Sequence, residues 1–140
     1  MLIEIQGIPS FKVCKEQAGN VRKAIQMVVD ELFSIVSVIS HRVGKTKGAV
    51  DNNGLRTQFS NHSFDTAIDI NAEKNGLYTN CFDFGKDCQL IRGGPWEPGK
   101  LGTVTKDSPV YQAFKEIGWK WGGELKGRQK DFMHFSLSGD

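Results

Sequence analysis

Residues 60–71 read Ser-Asn-His-Ser-Phe-Asp-Thr-Ala-Ile-Asp-Ile-Asn, with Asp69 set between Ile68 and Ile70 and His62 seven positions upstream. Aspartate is among the residues least often buried unless it is paired or bound to a metal. As a strand, the run 67–71 alternates: Ile68 and Ile70 share one face, while Ala67, Asp69 and Asn71 share the other. Asp69 is therefore expected off the core side, beside the small Ala67, where a ligand can approach.

On the amino-terminal side, Val21, Ile25, Val28, Leu32 and Ile35 recur at spacings of three and four. This predicts one buried helical stripe, with Asn20 as its N-cap. The β-branched run 34–42 predicts a strand ending at Arg42, and the Gly-, Asn- and Lys-rich residues 43–54 a surface loop or hairpin turn. On the carboxyl-terminal side, residues 76–107 are rich in Gly, Pro and polar residues and are expected to form a long functional loop. Ser108 and Pro109 open a second helix with a stripe of Val110, Ala113, Phe114 and Ile117, closed by Gly118. Trp119 and Trp121 are expected as core and turn anchors. The run 132–138 predicts a last strand, with Phe132, His134 and Ser136 on one face and Met133, Phe135 and Leu137 on the other. The sum is one α+β domain over residues 1–140, a small antiparallel sheet with helices packed on one side.

Composition narrows the class. The 140 residues are 39% hydrophobic and 24% charged, with a net charge of +2, as in a globular protein with a real core. That charge suits an anionic partner such as a wall polymer and supplies no basic stripe of the nucleic-acid-binding type. No apolar run approaches the ~20 residues needed to span a bilayer. Cys14, Cys81 and Cys88 lack a CxxC pair, which argues against a thiolate zinc cluster. Three thiols are the expectation, with a Cys81–Cys88 bridge open only in an oxidising compartment. No signal-peptide pattern stands at the amino terminus, so synthesis in the cytoplasm and export by another route are expected.

The chain has three histidines, His41, His62 and His134. His62 and His134 lie on or beside strands with Asp69 between them in sequence. Two imidazoles and one carboxylate are a known three-ligand set for a catalytic zinc, leaving a fourth position for water. Asp131 precedes His134 by three residues, so strict alternation would put it on the wrong face. It must reach the site from a turn or a bulge.

At these residues the chain resembles the zinc D-alanyl-D-alanine carboxypeptidase and L-alanyl-D-glutamate endopeptidase family, the VanY-like peptidases. Its first motif is similar to Ser-x-His, six residues, then Asp in an AxDIN strand, here residues 60–71. Its second is an acidic residue, two residues, then His-Phe after a GWxWGG turn, here GWKWGG at 118–123 and DFMHF at 131–135. The resemblance runs over residues ~40 to 137. It implies a VanY/hedgehog-like fold with the zinc site on the sheet. It implies His62, Asp69 and His134 as ligands of Zn2+ and Asp131 as general base. An arginine would stabilise the oxyanion, with Arg42 the first choice and Arg56 the second. His41 would point opposite to Arg42, and Ser60 would support a ligand or the loop through a hydrogen bond. Where the family commonly has Gly three positions after the first His, this chain has Asp65, a residue type that tolerates positive φ.

The implied substrate is the peptidoglycan stem peptide, cleaved at L-Ala-D-Glu or D-Ala-D-Ala by a monomeric phage or prophage lysis enzyme that acts on the wall after release. Two rival classes stand beside it. One is a catalytically lapsed zinc module that binds wall peptide or a protein partner, for which Asp65 argues and Asp131 argues against. The other is a two-His, one-carboxylate iron oxygenase, disfavoured because six residues separate His62 from Asp69.

Overall fold

The structure is a computed structural model. It describes the backbone of residues 1–42, 47–50, 56–58 and 66–137, and the side chains of residues 1–40 and 67–137. The chain opens with a two-stranded ribbon, β1 (Leu2–Ile3) and β2 (Phe11–Lys12), antiparallel with Ile3 opposite Phe11. Ile3, Ile5, Phe11 and Val13 point into the core.

Helix α1 spans Lys15–Asp30 and buries Ala18, Val21, Ala24, Ile25 and Val28. It begins six residues before the expected start, with Cys14 rather than Asn20 at the N-cap. Gly19 and Asn20 are weak helix formers, carried here by packing of the stripe that Ala18 extends. The carboxyl-terminal end also differs from expectation. Leu32 lies past the helix at φ +62° and is 88% exposed, so it does not belong to the stripe. Ile35 is buried, but from the extended segment that follows.

The main sheet has the order β3 (Val38–Arg42), β6 (Thr66–Ile70), β11 (His134–Ser136), β9 (Lys120–Trp121), with every neighbour antiparallel. Strand β3 ends at Arg42 as the sequence predicts. Strands β4 (Lys47–Val50) and β5 (Arg56–Gln58) pair antiparallel, so the region read as a loop or hairpin turn contains a hairpin. Residues 76–107 depart most from expectation. They hold β7 (Leu77–Thr79) and β8 (Gln89–Arg92), a hairpin joined by a Cys81–Cys88 disulfide. The expectation of three thiols is thus corrected, and Cys14 takes no part in the bridge. A third strand, β10 (Lys130–Asp131), pairs with β7 to complete a sheet of order β10-β7-β8. Strands this short inside Gly-rich sequence leave almost no period to read. Four small antiparallel sheets therefore stand where one was expected.

Helix α2 (Pro109–Glu116) has Ser108 at its N-cap, Pro109 at the first turn and Gly118 at φ +83° just past its end. Ser108 does not cap through its side chain. Its hydroxyl donates to the Thr105 carbonyl at 2.6 Å, fixing the turn before the helix. Phe114 stacks on Phe135 at 4.8 Å between ring centroids, and Phe135 pairs across the sheet with Ile68. That face, with Ile70, Val21, Ile25 and Val28, forms the core, and α1 and α2 pack against each other over it.

Two buried asparagines lock the far end of β6. Asn71 takes a left-handed backbone, φ +48°. Its side-chain oxygen accepts from the Val36 and Ser37 amides, and its nitrogen donates to the Ser34 and Gly102 carbonyls. Asn75 donates to the Gly102 carbonyl and accepts from the Val104 amide. The segments 34–37 and 102–104 are satisfied through these two side chains, which is how buried irregular chain avoids orphaned polar groups.

Candidate metal centre

Asp69 and His134 are direct partners across the β6–β11 ladder. Opposed residues in an antiparallel pair share a face, so both side chains project from the side of the sheet away from Ile68 and Phe135. His134 Nδ1 lies 3.0 Å from Asp69 Oδ1, and both residues are about 5% exposed. Asp69 was expected on an approachable face. It is on the expected face but buried.

Asp131 reaches the same place by a change of element. It ends β10, in the smaller sheet, and Phe132 and Met133 then turn the chain into β11. The expected strand over 132–138 thus begins two residues late, and this turn delivers Asp131 to the His134 side. The turn is held by the Phe132 amide on the Gly76 carbonyl, the Ile70 amide on the Met133 carbonyl, and the Trp121 indole on the Phe132 carbonyl. Gly122 packs beneath it. A Cβ there would stand 2.5 Å from the Asp131 carbonyl oxygen, 3.1 Å from Asp131 Cβ and 3.2 Å from His134 Cβ. Only a residue without a side chain lets these two come so close to the GWKWGG turn.

One ligand atom from each of Asp69, Asp131 and His134 lies within 4.8 Å of the others. Asp131 Oδ2 is 4.0 Å from His134 Nδ1, and Asp131 Oδ1 is buried with no hydrogen-bond partner. Burial pushes the Asp131 carboxyl up to about 6; Asp69 adds to the rise, while His134 and Arg92 oppose it. A cation among the three would relieve this stress.

The donors fit such a cation. Zinc takes imidazole nitrogen and carboxylate oxygen at roughly 2.0–2.2 Å in a tetrahedron, which separates neighbouring donors by roughly 3.3 Å. The Asp69–His134 spacing of 3.0 Å is close to that edge, and Asp131 stands further out. A buried carboxylate oxygen without a partner is the kind of group that a metal or its water satisfies.

His62, Ser60 and Asp65 lie outside the described residues, as do the side chains of Arg42, Arg56 and His41. The backbone of Arg42 pairs with Thr66 at the end of β3. Arg92 is a residue the sequence reading missed. It closes β8 opposite Leu77, which in turn lies opposite Asp131. The Arg-Gly-Gly at 92–94 was the available signal, hidden inside a stretch read as loop.

A pocket of about 290 Å³ is walled by Phe84, Trp96, Trp121 and Phe132, with Lys106 and Lys130 also lining it, so that both sequence neighbours of Asp131 border it. Trp96 stacks face to face on Phe132 at 3.9 Å, and its indole donates to the Val104 carbonyl. The residue immediately after the base candidate is thereby fixed by the 93–107 segment. Among the described residues no helix is long and apolar enough to cross a membrane.

No solved structure matches the chain. The family model described as D-alanyl-D-alanine carboxypeptidase matches residues 53–137, a span holding both motifs and all three residues of the cluster. With well over half its length so matched, the chain belongs to the D-alanyl-D-alanine carboxypeptidase family of VanY-like peptidases.

Proposed function

We propose that the protein is a zinc metallopeptidase that hydrolyses peptide bonds in the peptidoglycan stem peptide, as a phage or prophage lysis enzyme. His62, Asp69 and His134 would hold the metal, Asp131 would act as general base, and Arg42 would stabilise the oxyanion. The observation that carries this reading is the convergence of Asp69, Asp131 and His134, with Asp131 Oδ1 buried and without a hydrogen-bond partner among the described residues. A site built for packing alone has no need of that oxygen, and leaving it unsatisfied is costly.

Zinc bound there would acidify a water and polarise the scissile carbonyl. The remaining work belongs to the chain. Asp131 accepts the water's proton and returns it to the leaving amine. Asp69 and His134 stand opposite each other across the ladder, so the sheet sets the spacing of these two donors. An arginine keeps its charge at any working pH and offers a rigid fork to the developing oxyanion. The Cys81–Cys88 bridge supports a place of action in oxidising surroundings such as the outside of the cell.

Metal analysis and peptidoglycan hydrolysis test the reading together. The purified protein should carry about one zinc per chain. His134→Ala should lose it and lose stability with it, since metal binding contributes to folding. Full zinc occupancy in that variant would overturn the ligand assignment. Asp131→Asn should keep the zinc while hydrolysis falls by roughly two to four orders of magnitude. Loss of metal in Asp131→Asn would make Asp131 a ligand and remove it as base.

A further inference from the structure

Arg92 has no role in the chemistry above, yet the fold directs it towards the cluster. Asp131, Leu77 and Arg92 form one row across β10, β7 and β8, each opposite the next. Residues paired in this way point to the same face of a sheet, so Arg92 shares a face with Asp131 at two strand spacings, roughly 10 Å between backbones. An arginine side chain is long enough to close much of that gap. Its charge acts on the Asp131 carboxyl, which agrees with the row.

The backbone that presents Arg92 is fixed on both sides. Before it, the β7–β8 register shifts between Leu77 and Tyr78, so β8 carries an extra residue just ahead of Arg92. Bulges of this kind re-aim side chains beside sites. After it, Gly93 (φ +74°) and Gly94 are pressed against the turn after β6. A Cβ on Gly93 would stand 2.5 Å from the Ala72 carbonyl oxygen, and one on Gly94 would stand 1.8 Å from that of Glu73. The Gly94 amide donates to the Ala72 carbonyl at 2.9 Å. Arg92 is thus anchored to the same segment that follows Asp69. Its guanidinium is exposed and makes no hydrogen bond or salt bridge among the described residues. A fixed arginine with an unused fork, facing a cluster that is itself acidic, is suited to a carboxylate brought by a ligand.

We infer that Arg92 is the specificity-determining residue that binds the free carboxylate at the carboxyl end of the substrate, making the protein a carboxypeptidase rather than an endopeptidase. This rests on the peptidase reading and selects between its two reactions. A chain that ends one residue past the scissile bond would put its terminal carboxylate between Asp131 and Arg92. An internal residue at that point offers only a peptide group, which gives the fork no charge to pair with.

Binding separates this inference from the activity on which it builds. The zinc-loaded full chain carrying Asp131→Asn, in which turnover is suppressed, is titrated with L-Lys-D-Ala-D-Ala and with the same peptide bearing a C-terminal amide. The free acid should bind about 10-fold to 100-fold more tightly than the amide, the range expected of a charge-assisted hydrogen-bonded pair. With Arg92→Ala added that preference should collapse to within about 2-fold, and Arg92→Lys should keep part of it. Melting temperature and zinc content should match the parent chain in both variants. A preference that survives Arg92→Ala, or a parent chain with none, would overturn the inference. So would an Arg92→Ala variant that loses turnover on the zinc-loaded chain with its preference intact, since Arg92 would then serve the oxyanion. If the preference depends on Arg92 while the loaded wild type hydrolyses nothing, the carboxylate site stands and the peptidase reading fails alone.

Discussion

The main sheet and the sheet of the β7–β8 hairpin both contribute to the Asp69–Asp131–His134 cluster, but they are held together by different means. In the sheet, Ile68, Ile70 and Phe135 are 1% exposed or less and press on two helices. In the hairpin, Phe82, Leu90 and Ile91 are 41–66% exposed. Its inner edge is anchored by Tyr78, which is buried and packs on Phe84. The rest of its order comes from the disulfide, from Arg128 on Asn80 and Asn80 on Gln89, and from glycines without room for a side chain. Burial holds the donors of the cluster, whereas a cross-link and backbone contacts hold the side that meets solvent. A site needs both: rigid donors in a dry place, and an approach that water and substrate can enter.

The largest test of this contrast is in the core. Phe114→Ala should cost about 3–5 kcal/mol in urea unfolding, since Phe114 is fully buried and stacks on Phe135. A loss below about 1 kcal/mol would mean that the sheet does not depend on its helix face. Replacing Cys81 and Cys88 together with Ser should cost less, about 2–3 kcal/mol, from a closed loop with a sequence separation of 7. Hydrogen exchange should then quicken in β7 and β8 while β6 keeps its protection. Equal loosening in β6 would show that the two regions are one unit. The smallest change lies outside both. Leu32 follows α1 with a left-handed backbone and is almost fully exposed. Leu32→Gly should therefore raise stability by about 0.5–1 kcal/mol, visible as a melting point a few degrees higher. A lower melting point would show that Leu32 has a packing partner.

The same contrast separates what the sequence made legible from what it did not. That Asp69 would leave the core face followed from strand alternation, because a buried sheet imposes a period of two on its residues, whereas its place opposite His134 is seen only in the structure. The stripe of α2 and its Ser108-Pro109 start were legible for the same kind of reason. The start of α1 was missed because Gly19 and Asn20 look like a boundary, and only the burial of Ala18 shows that packing carries the helix through them. Asp131 could be assigned to a turn or a bulge, but not to a separate sheet. The hairpin was lost altogether. Its strands have three and four residues, β8 is exposed along its whole length, Tyr78 alone of β7 is buried, and the register carries a bulge, so no period of two is left to read. Arg92 went unseen with it.

Asn71 shares its motif with Asp69 but answers to a different selective demand. It holds a left-handed backbone and four hydrogen bonds to two separate segments. Aspartate there would lose both donated bonds, and glycine would keep the backbone and lose all four. A descendant drifting away from metal binding would be free to change Asp69 and His134 long before it could change Asn71. Survival of the asparagine in such a lineage records ancestry and fold, and only the carboxylate and imidazole beside it record chemistry.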